Sequence, residues 1–186
     1  CYEVPLWRVA LPGCGPGPAL TFGLTEEQRS FRDSVARFAA SELKPGALGR
    51  AHSGEYPRDV ARRMAQQGLL GITIAEADGG IGGTLMDAVV AIEAIASACP
   101  RSADAIHAGN FGAIRVLAEF GTPAQKERYL RPLLSGEALI SVGMTEPEAG
   151  SAVTELKTQA SRDGHGWRIN GSKVFTTHGP NDQRER

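Results

Sequence analysis

The chain has 186 residues, of which 41% are hydrophobic and 22% charged, and its formal net charge at pH 7 is −1. This composition is typical of a folded globular protein, and the near-zero charge provides no electrostatic footprint for nucleic acid or an anionic membrane surface. The apolar runs are far shorter than the roughly 20 residues that a membrane-spanning helix needs. Three scattered cysteines, Cys1, Cys14 and Cys99, favour reduced thiols, as in a bacterial cytosol or a mitochondrial matrix, over disulfides or a metal site.

The first predicted helix follows an irregular leader. Residues 1–23 are rich in Pro and Gly without any period, so we expect them to be disordered or foreign to the fold. The run TEEQ from Thr25 to Gln28 matches a capping box, in which both side chains satisfy backbone donors of the first turn. Apolar residues then recur at helical spacing to about Leu43, and Pro45-Gly46 ends the helix.

Two further helices are separated by an ambiguous apolar segment. The second helix is predicted from Pro57 to Gly68, and residues 69–75 fit either helix or strand. A glycine loop, GGIGG at 79–83, precedes a third helix capped by Thr84. Its apolar stripe is broad enough to predict burial on more than one side, and consists of Leu85, Val89, Ile92, Ile95 and Cys99.

Two more helices complete a predicted helical domain. The fourth begins after Pro100 and ends at Gly121, with Ile106, Phe111 and Ile114 on its apolar side. The run TPAQ at 122–125 is a second capping box with Pro at the first helical position, and the fifth helix ends at Gly136. We therefore expect residues 24–137 to form an antiparallel helical domain.

The hydrophobic period then changes from helical to strand-like. The apolar run at residues 138–144 predicts a buried strand. Further along, Leu156, Thr158 and Ala160 alternate with polar residues, which predicts a half-exposed strand. Hairpin-turn pairs, DG at 163–164 and NG at 170–171, flank a short strand, and residues 173–177 predict another. The fold class is thus α+β, with an incomplete antiparallel β-meander or barrel domain over residues 138–186. A sheet this small leaves an open edge, so we expect further strands downstream, with the polar residues 182–186 foreign to the fold.

Two polar segments at predicted strand ends form the candidate site. The first is MTEPEAGS at 144–151, and the second is FTT at 175–177. Their hydroxyl groups and the bare backbone at Gly150 suit hydrogen bonding to a heteroaromatic ring and a pyrophosphate without a metal. Taken alone, these residues favour a plain strand-to-turn corner stiffened by Pro147.

The order of several motifs resembles a known family. TEPEAGS, then NGSK, then VFTT is similar to the flavin-binding signature of the acyl-CoA dehydrogenases, and LTEEQ, GLLGI and FGTPAQKERYLRPLLSGE precede it in the family's order. The resemblance covers nearly all of residues 24–180. It implies an N-terminal helical domain, a middle β-domain and a C-terminal helical bundle, with FAD between the last two.

The resemblance also assigns roles by position. Val142, Met144 and Thr145 would line the flavin ring, while Gly150 and Ser151 would approach the FAD pyrophosphate and the thioester substrate. Phe175 stands in place of the family's usual Trp, and Thr177 would hydrogen-bond near the reactive flavin nitrogen. The full cofactor-binding set is Val142, Met144, Thr145, Gly150, Ser151, Phe175, Thr176 and Thr177, with Ser151 also substrate-binding.

Three positions depart from the family pattern. Ala152 replaces the usual Asp and loses a turn-bracing carboxylate, and His178 replaces a common Asn. Phe175 keeps the stacking area of Trp but lacks its indole donor. These departures weaken the expectation of tight FAD binding.

The other chemical candidates are weaker. GGIGG does not match a dinucleotide-binding GxGxxG pattern, so a helix-connecting loop is favoured. His52, His107, His165 and His178 lack metal-ligand spacing. Glu146 suggests a general base, but the family's base lies on the C-terminal bundle, so we interpret it as structural.

The resemblance implies an FAD-dependent oxidoreductase that dehydrogenates an acyl-CoA thioester between its α and β carbons. Its catalytic base would lie beyond residue 186, so we expect no catalytic residue in this chain and no activity of the chain alone. An electron-transferring flavoprotein would accept the electrons, and the full-length protein would be a homo-oligomer, a dimer or a tetramer. The alternatives are an acyl-CoA oxidase or desulfinase-like flavoenzyme on the same fold, or a helical interaction domain without chemistry.

Overall fold

The computed structural model describes residues 23–176, which contain eight α-helices followed by one β-hairpin. This order of helices before strands confirms the predicted α+β class. The strands are β1 (Gln159–Asp163) and β2 (Gly166–Asn170). The helices are α1 (Glu26–Phe38), α2 (Ala47–His52), α3 (Arg58–Gln66), α4 (Leu85–Ala96), α5 (Pro100–Asn110), α6 (Ala113–Phe120), α7 (Pro123–Gln125) and α8 (Arg131–Leu134).

Both predicted capping boxes are present. The Gln28 N–H donates to Thr25 Oγ1 at 3.1 Å, and the Thr25 N–H donates back to Gln28 Oε1 at 3.1 Å. Thr122 and Gln125 make the same reciprocal pair before α7. Each pair satisfies backbone donors that the first helical turn leaves free, so the starts of the first and fifth predicted helices are confirmed.

Two helical features differ from the sequence prediction. The first helix ends at Leu43, before Pro45-Gly46, as predicted, and its last turn over Ala39–Leu43 is π-helical, but α2 was not predicted. The predicted fourth helix is two helices, α5 and α6. It breaks at Gly112, whose φ of 66° and ψ of −128° leave the helical region for one that glycine tolerates best.

The main core lies where α4 packs against α1 and α5. Val90 and Ala91 are adjacent and both buried, which confirms burial on more than one side of α4. The predicted stripe is wrong at its start, because Leu85 and Val89 are each 49% exposed. The small alanine side chains of α4 allow its neighbours to approach closely, and the bulkier residues of the first turns remain on the outer side.

The segment at residues 69–75 is neither helix nor strand. It is a series of buried turns, in which Leu69, Leu70, Ile72 and Ile74 are at most 3% exposed. Its carbonyls accept hydrogen bonds from the glycine loop that follows. Within the described part of the chain, no helix is long and apolar enough to span a membrane.

The β region is smaller than predicted. The hairpin forms around Gly164-His165, with Asp163 opposite Gly166, as the DG turn signal indicated. Residues 138–144 and the described part of residues 173–177, up to Thr176, are not assigned to strands, and the 138–144 segment is only half-buried or exposed. A strand requires a continuous ladder of partners. Among the described residues, one backbone bond links these regions, from the Val174 N–H to the oxygen of Thr145, the residue after the first segment.

Candidate functional site

The structure brings the two candidate segments side by side. The Val174 N–H donates to the Thr145 carbonyl oxygen at 3.0 Å, and the Lys173 Nζ donates to the Met144 carbonyl oxygen at 2.9 Å. Thr145 and Thr176 are both half-buried in this region. Thr177, His178 and residues 1–22 lie outside the described residues, so the predicted pairing of Thr145 with Thr177 stays a prediction.

Gly143 lies directly beside the second segment. A Cβ atom at this position would lie 3.4 Å from Thr176 Oγ1 and 3.5 Å from the Lys173 side chain, which are ordinary van der Waals distances. Gly143 is therefore a neighbour of Lys173 and Thr176, a contact that the sequence prediction missed.

Three apolar side chains beside this junction face open space. Val142 is 53%, Met144 51% and Phe175 91% exposed. Phe175 also has a φ of 56°, and it is the one non-glycine residue with positive φ in residues 23–176. Such a conformation costs roughly 1–2 kcal/mol for a residue with a side chain. An exposed aromatic ring held in an unfavourable backbone conformation is consistent with a binding surface.

The TEPEAGS segment forms a tight turn. The Glu146 N–H donates to the Ala149 oxygen at 3.1 Å, and the Ala149 N–H donates back at 3.2 Å, with Pro147 at the corner. After the turn, Gly150 and Ser151 are exposed. A Cβ on Gly150 would meet no atom within 4 Å, so the backbone there is open to a ligand.

Glu146 is buried beneath this turn. Its carboxylate accepts hydrogen bonds from the Lys157 N–H at 2.7 Å, the Thr158 N–H at 2.9 Å and the Lys173 Nζ at 2.9 Å. The Thr158 side chain, together with these donors, lowers the pKa of Glu146 to about 2. Because its oxygens are occupied and it is 7% exposed, Glu146 is a structural carboxylate, as interpreted from the sequence.

The remaining candidates have structural roles. In the GGIGG loop, the N–H groups of Ile81, Gly82 and Gly83 donate to carbonyls of residues 71–74, so they are not directed at a phosphate. This confirms a helix-connecting loop. His107 stacks on Phe111 with ring centroids 5.4 Å apart. Residues 23–176 contain no group of three His, Cys, Asp or Glu side chains placed to hold a metal ion.

The combined site is suited to binding rather than to acid–base chemistry. It offers exposed apolar side chains at Val142, Met144 and Phe175, a half-buried hydroxyl group at Thr145 and open backbone at Gly150. Its central carboxylate is consumed by internal hydrogen bonds. Apolar side chains with a few placed polar groups are typical of a site for a planar organic ligand.

Two family models match the chain. The acyl-CoA dehydrogenase N-terminal domain matches residues 25–137, and the acyl-CoA dehydrogenase middle domain matches residues 141–183. The short-chain-specific acyl-CoA dehydrogenase of Clostridium acetobutylicum is 34% identical over 160 residues, covering 86% of this chain and 42% of the relative. The 3-sulfinopropanoyl-CoA desulfinase of Paraburkholderia xenovorans is 34% identical over 158 residues, covering 85% and 40%.

Solved structures share the fold. A glutaryl-CoA dehydrogenase from Mycobacterium smegmatis in complex with FADH2 superposes with a TM-score of 0.73 at 25% identity, covering 82% of this chain and 39% of that one. The chain thus spans about two fifths of the length of the proteins it matches. Since the first domain model alone covers more than half of the sequence, the chain belongs to the acyl-CoA dehydrogenase family.

Proposed function

We propose that this chain takes part in the FAD-dependent α,β-dehydrogenation of an acyl-CoA thioester. The observation that carries the proposal is the junction of Thr145 with Val174 beside the exposed Val142, Met144 and Phe175. A bound isoalloxazine would cover these apolar side chains, which are open to solvent here. The FADH2 complex of the Mycobacterium smegmatis relative supports the same cofactor.

Each site residue has a role under this proposal. Val142, Met144 and Thr145 line the ring, and Phe175 stacks on it. Thr176 and Thr177 supply hydroxyl groups to the ring edge. Gly150 and Ser151 approach the pyrophosphate with their backbone, and Ser151 also contacts the thioester. When bound, FAD would supply the hydride acceptor.

The chain's own residues bind and orient in this reaction. The only deeply buried carboxylate in the described part of the chain, that of Glu146, is held by three donors and does not take a proton from substrate. We therefore propose that the base lies outside this chain, as the family resemblance implies. Residues 24–137 would form the helical domain and residues 138–186 part of the β-domain. An electron-transferring flavoprotein would be the acceptor, and the assembled protein would be a homo-oligomer.

The proposal is tested first by cofactor binding. We expect the full-length protein to quench the fluorescence of added FAD, and Met144→Asp to weaken that binding at least about tenfold, because a charge would face the flavin ring. Val116→Asp is the matched control, since Val116 is similarly exposed, at 58% against 51%, but lies on α6. Equal FAD affinity of both variants, or no binding by the unchanged full-length protein, would contradict the proposal.

A second candidate activity is desulfination of a sulfinylated acyl-CoA. The 34% identity to the Paraburkholderia xenovorans desulfinase favours it on the same grounds as the dehydrogenase relative. The full-length protein would separate the two. A desulfinase releases sulfite from 3-sulfinopropanoyl-CoA, whereas a dehydrogenase reduces a dye acceptor with a saturated acyl-CoA.

A further inference from the structure

We propose that Glu146 and Lys173 form a positioning pair that sets the spacing of the two cofactor-facing segments. The inference depends on the proposed function, because it concerns the same site. Its basis is geometric. Neither residues 144–151 nor the described residues 173–176 belong to a β-ladder, so something other than regular strand pairing holds these parts of the chain together.

The Glu146 carboxylate is the centre of the arrangement. One oxygen, Oε1, accepts from the Lys173 Nζ and from the Thr158 N–H, both at 2.9 Å. The other, Oε2, accepts from the Lys157 N–H at 2.7 Å. A single side chain thus joins the TEPEAGS turn to two distant segments, one of which carries Phe175 and Thr176.

Lys173 strengthens the same junction from the opposite side. Its Nζ also donates to the Met144 carbonyl oxygen at 2.9 Å, so the ammonium bridges Met144 and Glu146. The next residue, Val174, donates its N–H to the Thr145 oxygen. Three consecutive residues of the first segment are therefore bound by two consecutive residues of the second. Side-chain bonds here replace the backbone ladder that the strand prediction expected.

Burial distinguishes this pair from an ordinary surface ion pair. The side chains of Glu146 and Lys173 are 7% and 27% exposed. Two residues from Glu146, the Glu148 carboxylate pairs with the Lys157 Nζ at 2.7 Å, but these side chains are 73% and 75% exposed. Exposed pairs of this kind contribute little, whereas a buried charge that loses its partner is costly. Glu148 is therefore a matched control for Glu146.

The test compares Glu146→Gln with Glu148→Gln by two measurements. The first is amide hydrogen exchange at Val174, which reports the junction directly and needs no cofactor. The second is the FAD affinity of the full-length protein. For Glu146→Gln we expect faster exchange at Val174 and about a tenfold loss of FAD affinity, with exchange in α4 and α5 unchanged. For Glu148→Gln we expect neither change.

A double-substitution cycle checks that the two residues act together. The double variant Glu146→Gln with Lys173→Gln should exchange at Val174 faster than the unchanged chain by much less than the product of the two single effects, because either substitution removes the same bond. If Glu146→Gln does not fold, Lys173→Gln provides the same comparison at a more exposed position. Multiplicative effects on exchange would overturn the inference.

The outcomes separate this inference from the proposed function. If the unchanged full-length protein binds FAD and its Glu146→Gln variant binds it equally well, the positioning role is wrong while the proposed function stands. If the unchanged full-length protein does not bind FAD, the proposed function fails, and the pair is then judged by exchange alone. In that case, equal exchange rates at Val174 in Glu146→Gln and Glu148→Gln would overturn the positioning role of Glu146 and Lys173 as well.

Discussion

The side-chain amide of Asn110 donates to the carbonyl oxygen of Leu69 at 2.7 Å. The same amide donates to the Ile106 oxygen at 2.9 Å, and its Oδ1 accepts from the Thr73 N–H at 3.0 Å. Asn110 is fully buried at the end of α5. One side chain thus satisfies backbone groups of the buried turns at residues 69–75, which have no helix or strand to pair with.

We expect Asn110→Ala to destabilise the fold by about 3 kcal/mol, because it leaves buried backbone groups without partners. The measurement is urea unfolding followed by far-UV circular dichroism. Asn170→Ala, at an exposed position at the end of β2, is the control and should change the unfolding free energy by less than about 0.5 kcal/mol. Similar losses in the two variants would contradict this account of the turn segment.

Two glycines should respond in opposite directions to the same substitution. A Cβ at Gly49 or at Gly112 would meet no atom within 4 Å, so the two sites differ in backbone conformation and not in space. Gly49 lies within α2, where replacing Gly by Ala should raise the free energy of unfolding by about 0.5–1 kcal/mol. Gly112 has a φ of 66°, where Ala should cost about 1–3 kcal/mol.

The midpoints of thermal unfolding of Gly49→Ala and Gly112→Ala would test this. We expect the first to rise and the second to fall relative to the unchanged chain. A loss in both variants would mean that α2 is not a stable helix. A gain in both would mean that Gly112 does not hold the positive φ that separates α5 from α6.

The sequence predicted the features that depend on neighbouring residues. The capping boxes at Thr25 and Thr122 involve partners three positions away, so a short motif carries the whole interaction. The break at Gly112 was missed because the apolar period continues across it, and a single glycine within such a pattern does not end a helix by itself. Backbone conformation at that point is set by packing, which periodicity does not record.

The candidate site was predicted only in part, for the same reason. Two segments were expected to converge, and contacts between Thr145 and Val174 join them. The strands expected there are absent because a strand depends on partners from elsewhere in the chain. The partners of Glu146 lie 11, 12 and 27 residues away, and no local pattern links a carboxylate to them. The family resemblance implied FAD as the ligand, which the residues alone did not specify.

The 186-residue chain by itself should not turn over substrate. Among the site segments, Glu146 is engaged by three donors, and Glu148 is paired with Lys157 at the surface. Glu146 is therefore not available as a base for an acyl-CoA, and the family resemblance places the base on a C-terminal bundle rather than at Glu148. We expect no reduction of a dye acceptor with a panel of acyl-CoA thioesters, even at saturating FAD. Turnover above the rate without protein would show that a base within the chain had been overlooked.

The junction at Glu146 should weaken in acid over a defined range. Its pKa is lowered from 4.5 to about 2 in the folded chain, so the unfolded chain takes up a proton first as the pH falls. The contribution to stability is complete above pH 4.5 and is lost as the pH falls towards 2. Glu146→Gln lacks this titration. The difference in unfolding free energy between the unchanged chain and Glu146→Gln should therefore be constant from pH 7 to 5 and shrink below that. A difference that stays constant down to pH 2.5 would mean that the carboxylate is not held by the donor groups of Lys157, Thr158 and Lys173.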